Sequence, residues 1–270
     1  IPRIDKIQSS SPVEKIIGCH INSYLPLPKK QFFPLVKKDM YRKVKPEKNV
    51  FVFKDLIAKY SMDPVEDRSK WDEIGTLIYT GGTTGVSKGV MLSNANLSCA
   101  NQQFSTWFPD INRGEERLIG NYPAFHAAGF ATTSLMIWQG WEHLMVPRPE
   151  PKINAELTKK YKPTFLPGVP TIFVGLLADP DFRNCDFSSF KGFFSGAAPL
   201  AADTIRDLKA LTGVTMCEVY GSTETAPFAT VTPWGGEVKP GTVGIPIPDT
   251  EVKIVDIEDP DKELGLGQEG

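Results

Sequence analysis

Three histidines and four cysteines in 270 residues leave little material for metal chemistry. Cys19, Cys99, Cys185 and Cys217 stand far apart and form neither a CxxC pair nor a zinc spacing, and the histidines are scattered. The simple expectation is a reduced, cytoplasmic setting. No run approaches the roughly 20 consecutive apolar residues that a membrane-spanning helix needs. The opening Ile1-Pro2-Arg3 has no signal-peptide layout, and its lack of a methionine leads us to expect a trimmed chain. Charge of one sign is also missing. Thirty Lys and Arg against 32 Asp and Glu give a net charge of −2, which argues against a nucleic-acid binder or a disordered acidic tail. There is no GxSxG nucleophile elbow, no internal repeat and no low-complexity tract.

What is present is an ordinary globular composition, 41% hydrophobic, long enough for one large domain or one domain and part of another. The first 70 residues mix Pro26, Pro28, Pro34 and Pro46 with the basic pairs Lys29-Lys30 and Lys37-Lys38, and read as irregular connection in which only 50–60 looks regular. From Glu73 the texture changes. Short apolar runs at 75–80, 118–122, 143–146, 164–166, 191–194 and 216–220 predict strands, and longer patterns at 93–107, 126–139, 154–160, 169–178 and 200–211 predict helices. This alternation predicts an α/β fold, a mostly parallel sheet with helices on both faces, whose ligand sites collect at the carboxyl ends of the strands. After Pro240 the β-branched run 251–257 predicts the start of a small β-rich subdomain. The expected organisation is an α/β portion over 1–239 and the opening of that subdomain over 240–270.

Four segments carry polar chemistry. The first, Tyr79-Thr80-Gly81-Gly82-Thr83-Thr84-Gly85-Val86-Ser87-Lys88-Gly89, is expected between a strand and a helix that Ser93 caps. Glycines allow close backbone approach to phosphate, the threonines add hydroxyl donors, and Lys88 adds a mobile charge. It is not a Walker loop, because Lys88 stands between Ser87 and Gly89; a flexible glycine-threonine turn is the weaker alternative. The second, Glu218-Val219-Tyr220-Gly221-Ser222-Thr223-Glu224, offers a ring for stacking, a hydroxyl donor in Thr223 and a carboxylate in Glu224. That carboxylate would repel a polyphosphate unless magnesium stood between them. The third, Phe194-Ser195-Gly196-Ala197-Ala198-Pro199-Leu200, exposes backbone that can line a flat ring, or simply starts a helix with Pro199 in its first turn. In the fourth, Tyr122 to Phe130, a helix beginning near His126 puts Phe130 on the same face one turn later, although a histidine among aromatics is more often a packed one. Two further matches carry nothing. Gly265 to Gly270 fits GxGxxG without a preceding strand, and Asn96-Leu97-Ser98 fits a glycosylation acceptor inside a predicted helix.

In this order the four segments resemble the adenylate-forming superfamily of acyl-CoA synthetases, luciferases and peptide-synthetase adenylation domains, and within it long-chain fatty acyl-CoA synthetases. The resemblance runs from about Val50 to the end of the chain. The family loop reads YTSGTTGxPKG; here Gly81 replaces its serine, which leaves the second glycine at Gly82 and removes one hydroxyl, and Ser87 replaces its proline. The resemblance implies that Thr80, Gly81, Gly82, Thr83, Thr84, Gly85 and Lys88 hold the phosphates of ATP, that Tyr220, Gly221 and the Gly196-Ala197-Ala198-Pro199 turn meet adenine, and that Thr223 stands near the α-phosphate and the carboxylate. It further implies that Glu224 binds Mg2+, and that His126, with Phe130, borders the acyl pocket. Lys88, Thr223 and Glu224 are the implied catalytic groups. Amino-acid-activating relatives place an Asp where His126 stands, so a substrate without an α-amino group is expected.

The implied activity is ligation of a fatty acid to coenzyme A through acyl-AMP, with ATP, Mg2+ and coenzyme A as cofactor and co-substrates. The alternatives are activation of an aryl or short-chain acid by the same chemistry, a non-catalytic nucleotide- or acyl-binding module and, less strongly, a kinase-like NTPase. In the family a ribose-binding Asp and an assisting Lys lie in later segments, so these 270 residues alone are expected to be inactive.

Overall fold

The computed structural model describes residue 4, residues 10–81 and residues 86–270. They fall into two compact units, Ile1–Arg68 and Ser69–Gly270. In the first, β1 (Ile16–Gly18) pairs in parallel with β2 (Val50–Val52), and α1 (Lys29–Val36) and α2 (Phe53–Lys59) are the longer helices among the described residues. The expected regularity at 50–60 is present as β2 and α2, whereas α1 lies in the stretch read as irregular. Pro34 sits inside α1 and cannot donate to the carbonyl of Lys30. That carbonyl instead accepts from Asn22 Nδ2 at 2.8 Å, so the helix survives its proline.

In the second unit, β3 (Ile74–Thr80) and β4 (Lys88–Ser93) form an antiparallel hairpin. This corrects the strand–loop–helix expectation: the glycine-threonine loop joins two strands, and a second strand precedes α3 (Asn94–Thr106). Ser93 caps that helix as expected, its Oγ accepting from Asn96 N at 3.1 Å while Asn96 Oδ1 accepts from Ser93 N at 2.9 Å.

The remainder alternates as predicted: β5 (Arg117–Gly120), α4 (Ala127–Gln139), β6 (Glu142–Met145), α5 (Pro151–Tyr161), β7 (Phe165–Gly168), α6 (Pro170–Ala178), α7 (Pro180–Arg183), β8 (Gly192–Gly196), α8 (Ala202–Thr212) and β9 (Met216–Tyr220). A 3-10 turn at Thr223–Thr225 leads to β10 (Thr230–Val231) and β11 (Ile245–Pro246). The seven-stranded sheet has the order β11-β10-β9-β8-β7-β5-β6, parallel from β9 to β6, with β10 and β11 antiparallel at the edge.

Successive side chains on a strand point to opposite faces, so a sheet covered on both sides needs apolar residues in adjacent pairs. The strands show those pairs. Ile119, Leu166, Phe193 and Met216 pack against Ala155, Phe173, Leu176 and Leu208 of α5, α6 and α8. Their neighbours Leu118, Phe165, Phe194 and Cys217 pack on the other face against Phe104 of α3 and Leu135 and Met136 of α4. The run 251–257, expected as a strand, forms no ladder. It makes one antiparallel bridge, Val255 with Glu263, flanked by Asp256 N to Lys262 O at 3.0 Å and Leu264 N to Ile254 O at 2.9 Å.

Candidate functional site

The strand order fixes where a ligand can sit. From β5 the chain steps outward to β6, then crosses back to β7 on the other side of β5, so the sheet reverses direction between β5 and β7. In open α/β sheets the crevice beyond such a reversal is the usual ligand site. A cavity of about 410 Å³ opens there. Its inner part is an apolar shaft lined by Leu118, Phe165 and Phe194 of the sheet and by Phe104 and Leu135 of α3 and α4, with Ile111 and Trp141 at the level of the strands' amino ends. Trp141 stacks on Phe165, ring centres 5.5 Å apart, and its Nε1 donates to Asn112 O at 3.1 Å. The mouth is lined by His126, Gly196, Ala197, Gly221, Ser222 and Thr223.

Three of the four polar segments meet through one small apolar cluster: Ile78 and Leu92 from the β3–β4 hairpin, Ala127 beside His126, and Ala226 just after the Thr223–Thr225 turn. Thr80 ends β3 directly opposite Lys88, which begins β4, and β4 lies beside that turn. Gly81 is described and exposed; Gly82, Thr83, Thr84 and Gly85 lie outside the described residues. Glu224 is exposed and forms no hydrogen bond or ion pair with another described residue. Among the described residues no three ligating side chains cluster. One free carboxylate is nevertheless the donor set magnesium commonly takes from a protein, the remaining positions going to phosphate and water.

Close backbone approaches hold the mouth in shape. A Cβ on Gly221 would lie 1.7 Å from Pro227 O, and one on Gly129 would lie 2.0 Å from Pro123 O, so both positions require glycine. The second contact presses the 122–126 loop onto α4. There His126 is the N-cap, its Nδ1 accepting from Ala128 N at 3.2 Å. Ala197 adopts φ 70° and Ala226 φ 62°, a left-handed conformation that alanine disfavours. The third segment does not pass straight into a helix: it turns sharply at Ala197, and α8 starts only at Ala202.

Tyr220 stands exposed at the carboxyl end of β9, next to Gly221, and Ala198 and Pro199 are exposed in the neighbouring turn after β8. Phe130, expected beside His126, keeps the one-turn relation, its N–H donating to His126 O at 2.8 Å. Its ring, however, packs against the Ile78, Leu92 and Ala127 cluster and does not line the cavity at the sheet reversal. Phe125, not singled out from the sequence, lines the mouth instead.

Two other groups escaped the sequence reading. Tyr122 donates to Gly168 O at 2.8 Å, which ties the loop after β5 to the end of β7, and burial raises its phenol well above the ordinary value. Glu218 is buried on the face of β9 opposite the shaft. Burial raises its carboxyl above the usual range, opposed by the hydrogen bond from Leu200 N. Its place in the Glu218–Glu224 segment was the only available signal.

Comparison with known proteins agrees with this geometry. Residues 5–270 match the model of a family described as "AMP-binding enzyme". The chain is 33% identical over 263 residues to a long-chain-fatty-acid–CoA ligase of Bacillus subtilis, an alignment covering 94% of this chain and 46% of the relative. It is also similar to a crystal structure of a long-chain-fatty-acid-CoA ligase from Archaeoglobus fulgidus, with TM-score 0.77 and 28% identity over 98% of this chain and 54% of that one. An anthranilate CoA ligase crystallised with anthranoyl-AMP shares the fold, with TM-score 0.80 at 23% identity over 99% of this chain and 47% of that one. The chain thus spans about half the length of the curated relatives it matches. With a family match along nearly its whole length and the family's motifs gathered at one sheet reversal, this chain belongs to the AMP-binding enzymes.

Proposed function

We propose that the protein to which this chain belongs activates a long-chain fatty acid as acyl-AMP and passes the acyl group to coenzyme A. The observation that carries the reading is the shaft, an apolar passage between sheet and helices that ends in a mouth of hydroxyl, amide and imidazole groups. A fatty acid needs that division, because its tail gains about 0.8 kcal/mol per buried methylene while its carboxylate must remain among polar groups.

On this reading the carboxylate sits at the mouth near Thr223 and His126, and ATP lies across the ends of β8 and β9 with its phosphates toward the 80–88 loop. A carboxylate oxygen attacks the α-phosphorus in line, the bond to the bridging oxygen breaks, and pyrophosphate leaves. Lys88 and the threonines of the loop neutralise charge on the leaving group, and Thr223 donates to the α-phosphate or the carboxylate. Glu224 would hold a magnesium ion, which supplies further charge neutralisation when bound. Coenzyme A thiolate then attacks the acyl carbonyl and AMP departs, so no side-chain nucleophile is required and positioning dominates. Tyr220, Gly221 and the Gly196-Ala197-Ala198-Pro199 turn are the proposed adenine contacts, and His126 with Phe125 the proposed rim of the acyl pocket. We also take 240–270 as the opening of a β-rich subdomain, supported by the bridge at Val255 and Glu263.

The test is pyrophosphate release by the full-length protein with a graded series of carboxylic acids, ATP and magnesium, followed by acyl-CoA analysis. Turnover rising with chain length through the long-chain fatty acids supports the proposal. A preference for aryl or short-chain acids would reassign the substrate, and ADP as product would overturn the chemistry.

A further inference from the structure

The ladder between β5 and β7 is short. These strands share one register pair, Leu118 with Phe165, whereas β7 and β8 share four and β5 and β6 another four. Beyond Phe165 no ladder joins β5 to β7, and side chains from the loop just after β5 span the gap. Asn121 Nδ2 donates to Pro167 O at 3.2 Å, and the Tyr122 hydroxyl donates to Gly168 O at 2.8 Å. Asn121 is engaged on the face away from the shaft, its Nδ2 also donating to Asn154 Oδ1 of α5 at 3.0 Å. Tyr122 lines the shaft cavity itself.

Tyr122 therefore stands where the sheet leaves the shaft without a wall. Its phenol oxygen lies near Gly196 at the end of β8, since a Cβ on that glycine would be 3.7 Å from it. The side chain thus reaches from the end of β5 to those of β7 and β8, beside the mouth residues Gly196 and Ala197. Burial holds the phenol above its ordinary pKa, so the hydroxyl stays a donor to Gly168 through neutral pH. A second cavity, lined by Asn121, Pro151 and Ile172 on the opposite face of the sheet, shares Tyr122, Pro123 and Val169 with the shaft cavity. Of the three shared residues Tyr122 has much the largest side chain, so its ring makes up most of the partition.

On the fatty-acid reading of the shaft, the carboxylate sits near Thr223 and His126 and the tail runs inward, so the first carbons after the carboxyl pass this ring. A straight chain needs only the width of a methylene there. A methyl on C2 projects sideways and has to displace a ring anchored at both ends, by its backbone after β5 and by its hydroxyl at Gly168. One extra carbon in an apolar pocket is discriminated roughly 10- to 200-fold.

We propose that Tyr122 determines specificity at the head of the acyl chain: its ring seals the gap between β5 and β7 and excludes acids branched at C2. This role rests on the shaft being the acyl site. It does not depend on chain beyond these residues, because the ring, its hydrogen bond and the wall it completes all lie within the second unit.

The experiment compares kcat/KM for hexadecanoic acid and racemic 2-methylhexadecanoic acid, by pyrophosphate release from the full-length protein, in the wild type and in Y122F, Y122L and Y122A. The wild type is expected to favour the straight chain by about tenfold or more. Y122A, which vacates the ring's volume, is expected to raise the branched-to-straight ratio by about tenfold, and Y122L by less, while Y122F keeps the ring and stays within about twofold of the wild type. A residue needed only for stability lowers both turnovers together and leaves that ratio where it was. Circular dichroism and urea midpoints identify the folded variants, and Y122L, which retains a branched apolar side chain, carries the test where Y122A does not fold. Equal use of both acids by the wild type, a ratio unchanged in folded Y122A or Y122L, or one raised as far in Y122F would overturn the role of Tyr122. The fatty-acid reading would survive any of these, because it stands on turnover of hexadecanoic acid by the wild type; absence of that turnover would remove both.

Discussion

The shaft and the mouth of the cavity are built on the same strands by opposite rules. The shaft consists of large rings that contact one another, Phe104 with Phe108 at 4.8 Å, Phe108 with Phe194 at 5.4 Å and Phe165 with Phe194 at 5.6 Å, and each also belongs to the core beneath the sheet. The mouth consists of turns and of glycines pressed against carbonyls, and the exposed charged side chains proposed to serve it, Lys88 and Glu224, stand at the start of β4 and in the Thr223–Thr225 turn. Stability and acyl-length preference should therefore reside in the shaft and the rate of the chemical step at the mouth.

The strongest test of that division is Phe104→Ala. Removing a buried ring is expected to cost about 3 kcal/mol, read as a lower urea midpoint, and, because the ring lines the shaft, to alter the acyl-length preference while the maximal adenylation rate per folded molecule changes little. A small stability loss joined to a large kinetic one would break the comparison. At the mouth, Lys88→Ala in the full-length protein should slow adenylation about tenfold or more, equivalent to at least ~1.4 kcal/mol of transition-state stabilisation, without moving the unfolding midpoint. Glu224→Gln keeps the side chain's shape and should give a smaller rate loss together with a higher magnesium requirement; an unchanged magnesium titration would remove Glu224 from the metal's coordination.

Finer still is the contrast between Trp141 and Phe130. Trp141→Ala opens the inner end of the shaft and should shift the preferred acyl length upward, by about 1 kcal/mol of discrimination per added methylene, whereas Phe130→Ala should cost stability and leave chain length alone. The smallest effect expected is a pH dependence. Burial raises the Glu218 carboxyl, so its stabilising contribution is complete below the ordinary carboxyl value of 4.5 and is lost as pH rises through the higher folded-state value. Glu218→Gln should therefore flatten the stability curve between acid and neutral pH, and urea midpoints across that range would show it.

The parallel alternation was legible because each strand carries two adjacent apolar residues and each helix a longer pattern, so element type followed from period alone. The four polar segments were legible because each stands at the carboxyl end of a strand. β4 was not: Val90 and Leu92 face inward at period two, but six residues wedged between a glycine-rich loop and a capped helix looked like the helix's approach. The shaft was not legible for a different reason. Phe104, Phe165 and Phe194 have the spacing of core residues and are core residues; they also line a cavity only because the chain reverses direction between β5 and β7, which no local pattern records. Phe130 shows the converse. Its one-turn spacing from His126 was right, yet spacing cannot say that the shared face turns toward the hairpin.

The left-handed alanines at 197 and 226 set a limit on transferability. Each residue sits in a conformation that costs roughly 1–2 kcal/mol relative to its ordinary choices. A peptide carrying either turn would relax to something else, and a graft of 194–200 onto a foreign sheet would keep the letters and lose the shape. The mouth is not a portable cassette: its geometry belongs to β8, β9 and the edge strands jointly, and any redesign of the site has to carry that whole edge of the sheet along.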